Sequence, residues 1–336
     1  MATEKPNPTM KDVAQEAGVA LGTVSKVVNG IPVGEEYRVR VEKAIKKLGY
    51  RVNIYARGLR NERTRTIQVI IPNLTNPFFA ELVHHITKEL AQKDYKTMLC
   101  MTDGDPSLEQ THILMAKQHM ADGIICLSYD PTLQAPEHMP LVSIDRYFGA
   151  QIPCVSSDNY GGGRLAAEKL IENGCKCLAF LRSGTKLANE PNKRRDGFVS
   201  VCEERGVPYA LKMIDDGTSY SEFEAFLQEH LHSGKLDFDG IFCVTDALAY
   251  WTRKTLRGMG LRVPEDVQII GYDGVRSFGN MDLPCSTIVQ PLEGMAKACV
   301  DLVLDSHPER TPSLICLPVS YAYGGTTRQE NQEAGL

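Results

Sequence analysis

Hydrophobic positions follow two textures along the chain. Up to residue 50 the apolar side chains recur at helical spacing in short runs. Met10, Val13, Ala14 and Ala17 stand at i, i+3, i+4 and i+7. Thr9 is placed to cap this helix, with Asp12 three residues on as in a capping box, and Gly18 ends it. A second periodic stretch starts near Leu21 and turns Val24, Val27 and Val28 inward. Leu21, Gly22, Ser25, Lys26 and Asn29 share its outer side, and Gly30 and Pro32 stop it. A third helix is predicted over 35–48, with Tyr37, Val41, Ala44, Ile45 and Leu48 on one face and Gly49 as C-cap. Two short helices joined by a tight glycine turn and braced by a third predict a helix-turn-helix, which lays its second helix in the major groove of DNA.

From residue 66 short apolar runs alternate with helical stretches. Strands are predicted at 67–71, 97–101, 124–127 and 141–144, with helices at 78–93 and 107–120 between the first three. A second series has helices at 161–173, 193–205, 221–232 and 247–259 and strands at 178–181, near 211–214, 241–244 and 267–271. Such repetition implies parallel sheets covered by helices on both faces, and two such units fit the length. The fold class is therefore α/β: a small all-α head plus a two-lobed core of doubly wound parallel sheets.

Charge sharpens the division. The net charge of −5 hides a head (residues 1–65) with 13 Lys and Arg against 7 Asp and Glu, net +6, on a body of −11. Only the head suits a polyanion. No stretch has the form of a signal peptide or reaches membrane-spanning length, so the expected location is cytoplasmic, with no membrane contact. Ten cysteines without a CxxC pair, several inside apolar runs, read as reduced core thiols, and no metal site is expected. No Ser-His-Asp arrangement or HExxH emerges, and His84-His85 reads as helix surface. The chain is read as a non-enzyme without a cofactor. The run from Asp158 through Gly161, Gly162 and Gly163 to Arg164 lacks both GxGxxG spacing and a lysine-serine pair, so it reads as a crossing and a helix start, not a phosphate cradle.

The segments Thr9-Met-Lys-Asp-Val-Ala-Gln-Glu-Ala-Gly-Val19 and Gly22-Thr-Val-Ser-Lys-Val-Val-Asn29 closely resemble the DNA-reading head of the lactose repressor family, and the likeness runs to about residue 328. The resemblance implies a helix-turn-helix at 1–50, a hinge at 51–65 and a periplasmic-binding-protein-like effector and dimerisation domain at 66–330. Its lobe 1 would comprise about 66–159 and 290–321 and its lobe 2 about 160–289 and 322–330, with crossings near 158–161, 286–290 and 320–323. By that likeness Leu21, Gly22 and Lys26 read bases, while Thr23, Ser25 and Asn29 position the backbone. In the hinge, Asn53, Ala56, Arg57 and Leu59 meet the minor groove, with Leu59 as a wedge. Two departures stand out. Ala20 replaces the usual Ser or Thr, and Gly22 brings no side chain, which shifts discrimination onto Lys26 and a guanine edge.

Polar residues just beyond the strand ends are the ligand candidates, because open α/β sheets bind there. They are Asn76, Phe78 and Phe79, then Ser128, then Asp145 and Arg146, then Arg194, Thr245, Asp246, Asp273 and Gln290. This set resembles the pocket of ribose-type sugar-binding proteins and sugar-responsive repressors. Aromatic faces suit the CH side of a sugar, carboxylates accept from hydroxyls and Arg donates to them. Structural roles compete: Asn76 as a cap, Phe79 as core, Asp246 as an N-cap. Three Asp against two Arg favour a neutral sugar, ribose-like or another. Lys186, Lys193 and Arg195 keep a sugar acid open, and a purine is a further alternative. The expectation is a repressor of palindromic or pseudo-palindromic operator DNA, controlled by a sugar that closes the lobes. It is expected to be a homodimer, 328–336 being too short and polar for a tetramer-forming heptad tail. The rival class is a free solute-binding protein, which would lack the head.

Overall fold

The structure, a computed structural model, describes residues 8–50, 64–116, 118, 121–127, 139–147, 152–185, 188–215, 217–276, 282–305 and 312–329. Two compact units emerge, Met1–Thr64 and Arg65–Leu336.

In the first unit the helices are α1 (Met10–Ala17), α2 (Leu21–Val28) and α3 (Glu35–Leu48). Thr9 and Asp12 form the capping box, and Gly18, at φ 61, closes α1 in the left-handed region open to glycine. Val13, Val24 and Val41 are fully buried against one another, with Ala14, Ala17 and Ala44 beside them. Tyr37, expected on the packed face, is half exposed, because the core is built by the later turns of α3.

The second unit holds two six-stranded sheets. In chain order the first lobe contributes β1 (Thr66–Ile71), α4 (Pro77–Gln92), β2 (Lys96–Met101), α5 (Pro106–Met115), β3 (Gly123–Cys126), β4 (Leu141–Ile144) and β5 (Cys154–Ser157). The second contributes α6 (Asn159–Glu172), β6 (Leu178–Ser183), α7 (Lys193–Arg205), β7 (Tyr209–Ile214), α8 (Ser221–Glu229), β8 (Leu231–His232), β9 (Lys235–Leu236), β10 (Gly240–Cys243), α9 (Asp246–Gly258), β11 (Gln268–Asp273) and β12 (Ser286–Val289). The chain then returns through α10 (Leu292–Val303) and β13 (Leu314–Leu317) before β14 (Ser320–Ala322).

The first sheet has the order β13-β5-β4-β3-β1-β2 and is parallel throughout. The second, β14-β12-β11-β10-β6-β7, is parallel except where β14 runs against β12. In lobe 1, α4 and α10 cover one face of the sheet, and Ile113 and Ala116 at the end of α5 pack on the other. Lobe 2 is built around Phe180, Phe198, Phe242 and Tyr272. The chain passes between the sheets after β5, after β12 and between β13 and β14.

The helix expected over 221–232 ends at Glu229, and a hairpin follows. Ser233 and Gly234 both have positive φ, the two-residue turn that matches strand twist, and this draws Leu231 and His232 out of the helix. All ten cysteines are free thiols, eight of them buried.

Candidate functional site

In the head, the outer side of α2 presents Leu21, Gly22, Lys26 and Asn29 exposed, with Thr23 and Ser25 half-buried. A Cβ on Gly22 would meet nothing within 4 Å, so the position lies open. Asn29 donates from Nδ2 to the Ser25 carbonyl at 2.8 Å, which orients its side chain. Ala20 offers no side-chain cap, leaving the start of α2 without that bond. Sequence reasoning missed Arg40, which clamps the turn: its Nε donates to the Ala17 carbonyl at 3.0 Å and its Nη2 to that of Gly18 at 2.8 Å. Lys47 and Glu16 add a bridge at 2.6 Å. Asn53, Ala56, Arg57 and Leu59 lie outside the described residues.

In the second unit a cleft opens between the two lobes at the carboxyl ends of the strands, with a cavity of about 120 Å³. Of the expected residues, Asn76, Phe78, Phe79, Asp145, Arg146, Arg194, Thr245, Asp273 and Gln290 line it. Two side-chain chains organise it. On one, Ser156 Oγ donates to Asp145 at 2.5 Å, and Asn159 Nδ2 donates to Ser156 Oγ at 2.8 Å. Arg194 Nε then donates to Asn159 Oδ1 at 2.6 Å, and Arg194 Nη1 to the Val244 carbonyl at 2.7 Å. On the other, Gln290 Nε2 donates to Asp273 at 2.9 Å, and Ser157 Oγ donates to Gln290 Oε1 at 2.7 Å, with Tyr272 Oη 3.1 Å from Ser157 Oγ. The Arg194 guanidinium stacks 3.6 Å above the Tyr272 ring. These bonds and the ring contact fix the floor of the cleft.

The glycine run predicted as a helix start explains how Arg194 comes to rest there. A Cβ on Gly163 would fall 2.0 Å from the Arg194 carbonyl oxygen, and one on Gly197 would fall 2.0 Å from that of Tyr160. Glycines at both positions let the backbones of α6 and α7 touch, which places Arg194 over the ring.

Electrostatics follow from burial. Asp273 is buried, and desolvation pushes its carboxyl well above the usual range, with the nearby Asp246 adding to the effect against Arg194. Burial likewise pushes the Tyr272 phenol up to about 12, so it stays neutral. Asp145 and Asp273 both hold positive φ, at 59° and 134°, conformations L-residues rarely adopt and which collect at functional sites.

Several expectations need correcting. Asp246 turns away from this cleft: its carboxylate accepts from the Gly274 and Val275 amides and from Thr287 Oγ1, fastening the end of β11. It borders instead an adjoining cavity with Pro77, Tyr250 and Pro284, which shares Asn76 and Asp273 with the cleft. Lys193 and Arg195 pair with Glu190 and Asp196. Asn76 and Thr245 cap α4 and α9 and also line the cleft. Phe78 and Phe79 are core residues that also line the cleft. Ser128 and Lys186 lie outside the described residues. Sequence reasoning missed Arg182, which lines the cleft and donates to the Thr185 carbonyl and Asn192 Oδ1. The strand-end rule would have found it had β6 been extended past Leu181.

Residues 9–53 match the family described as bacterial regulatory proteins, lacI family, and residues 64–305 match periplasmic binding proteins and sugar binding domain of LacI family. The chain belongs to the LacI family. It is 34% identical to the ribose operon repressor of Halalkalibacterium halodurans, over 88% of this chain and 89% of that protein. It is 31% identical to the sucrose operon repressor of Pediococcus pentosaceus, over 95% and 99%. A periplasmic binding protein/LacI transcriptional regulator from Alkaliphilus metalliredigens, solved with D-xylulofuranose, superposes with a TM-score of 0.68 at 26% identity, covering 79% of this chain and all of that one. With the lacI head present, this LacI-family chain is a DNA-binding, sugar-responsive regulator and not a free solute-binding protein. No helix among the described residues is long and apolar enough to cross a membrane.

Proposed function

We propose that this LacI-family chain represses from a palindromic operator as a homodimer and is governed by a monosaccharide-sized sugar in the interlobe cleft. The observation that carries the reading is the convergence of Asp145, Arg194 and Asp273 on one cleft also lined by Phe78 and Phe79. A sugar presents hydroxyls to the fixed acceptors and donors and a CH face to the aromatic side chains. Lys26 is the polar base reader on an α2 surface where Leu21 contributes apolar contact, with Thr23, Ser25 and Asn29 on the phosphates. Binding a sugar favours closed lobes, and closure changes how two heads are held; operator and sugar then alter each other's affinity by the same factor.

One observation favours a second reading, a sugar acid. With Asp246 outside the cleft and Arg182 in its wall, three guanidinium groups face two carboxyls, and burial disfavours the charge on Asp273. Calorimetric titration of the full chain against pentoses, hexoses, sugar acids and purines separates the readings. We expect a neutral sugar to bind most tightly and to change operator affinity in a gel-shift assay. A sugar acid binding at least 10-fold tighter selects the second reading, and a purine as sole ligand overturns both.

A further inference from the structure

The wall of the cleft contributed by lobe 2 runs through Asn189 and Pro191, and the residue between them turns away from the cavity. Glu190 sits on a single 3-10 turn, Glu190–Asn192, with its side chain only 2% exposed. Its carboxylate accepts from Tyr147, which follows β4 in lobe 1, and from Lys193 Nζ at 2.6 Å. Its amide donates to the Asp145 carbonyl, again in lobe 1, at 3.1 Å. The Lys193 ammonium lies 5.9 Å from the centre of the Tyr147 ring.

We propose that Tyr147, Glu190 and Lys193 form a latch that holds the lobes together beside the cleft and sets how slowly a bound ligand leaves. The proposal rests on reading that cleft as the effector site. The three chain crossings are covalent and persist whether the lobes are open or shut. The bonds to Glu190 join segments of different lobes, so opening must break them. A carboxylate withdrawn from water needs its donors. With the lobes together it has a phenol and an ammonium, and opening removes the phenol and the backbone bond while Lys193, three residues on in the same lobe, stays. None of the three side chains lines the cavity. Glu190 is accordingly a positioning residue: it fixes Asn189 and Pro191 in the wall and ties that wall to the Asp145 backbone.

Tyr147→Phe is the clean deletion, since it removes one hydroxyl, keeps the ring beside Lys193 and falls on a residue that is 43% exposed. With D-ribose as probe and the full chain in stopped flow, we expect dissociation about 10-fold faster and association unchanged, the weight of one hydrogen bond to a charged group. Glu190→Gln, whose amide oxygen still accepts from the phenol, should have the smaller effect. Hydrogen exchange on the ligand-free chain supplies an independent readout: Tyr147→Phe should speed exchange of the Glu190 amide relative to wild type. Unchanged ribose dissociation together with unchanged exchange overturns the latch and leaves the effector site standing. If neither ribose nor any other sugar binds wild type, the effector reading fails, and exchange at Glu190 alone decides whether the lobes are latched.

Discussion

Arg194 is held on three sides: by Asn159, by the Val244 carbonyl and by the Tyr272 ring below it. A lysine has neither the planar face nor the fork to satisfy that geometry. Asp273 faces the opposite problem, a buried carboxyl that accepts from the Gln290 side-chain amide. Its folded pKa lies above its unfolded one, near 4. The stability it contributes is therefore complete at low pH and is lost as pH rises through the folded value. Wild type should lose stability relative to Asp273→Asn on going from pH 4 toward pH 8. Thermal unfolding of both proteins across that range tests this, and curves that stay parallel would sink it.

At the level of elements, the contact between α6 and α7 ties local sequence to the cleft. A glycine within a helix ordinarily costs about 1 kcal/mol relative to alanine. At Gly163 the sign should reverse, because the new Cβ would meet a backbone carbonyl that cannot move without α7. Gly163→Ala should destabilise by about 1–3 kcal/mol and weaken sugar binding by displacing Arg194. Gly258, in α9 with open space around it, is the control, and its change to Ala should raise the melting temperature. If both variants are more stable than wild type, the helix contact does not set the position of Arg194. In the head, Arg40 plays a comparable part, since it joins the end of α1 to α3 and so fixes the turn that aims α2.

For the molecule as a whole, a basic head and an acidic body favour nucleic-acid contact through the head. A single head reads only a half-site, so a symmetric dimer should carry each base preference twice. With Gly22 bare and Leu21 apolar, Lys26 is the polar base reader we propose. Lys26→Ala should relax preference at one position in each half-site, at about 1–3 kcal/mol per base pair. Selection of binding sites from a randomised pool would reveal it, and an unaltered consensus would remove Lys26 from base reading.

Periodicity alone determined the three helices of the head, since burial of Val13, Val24 and Val41 needs only local spacing and caps at Thr9 and Gly49. It also determined the strand-helix alternation of the body, because a strand buried on both faces must be an unbroken apolar run. The strand-end rule located much of the cleft, including Asp145, Asp273 and Gln290, whereas Arg194 reaches it from α7. Tertiary structure decided which way the polar side chains turned. Asp246 follows β10 as predicted, yet the amides at the end of β11 capture it, and those lie 28 and 29 residues away in sequence. Arg182, Arg40 and the Tyr147–Glu190 contact depend on partners brought together by the fold, and no local pattern encodes them. Helices and strands arise from hydrophobic periodicity over a few residues, whereas a site arises from hydrogen-bond partners that meet only once the sheets have assembled.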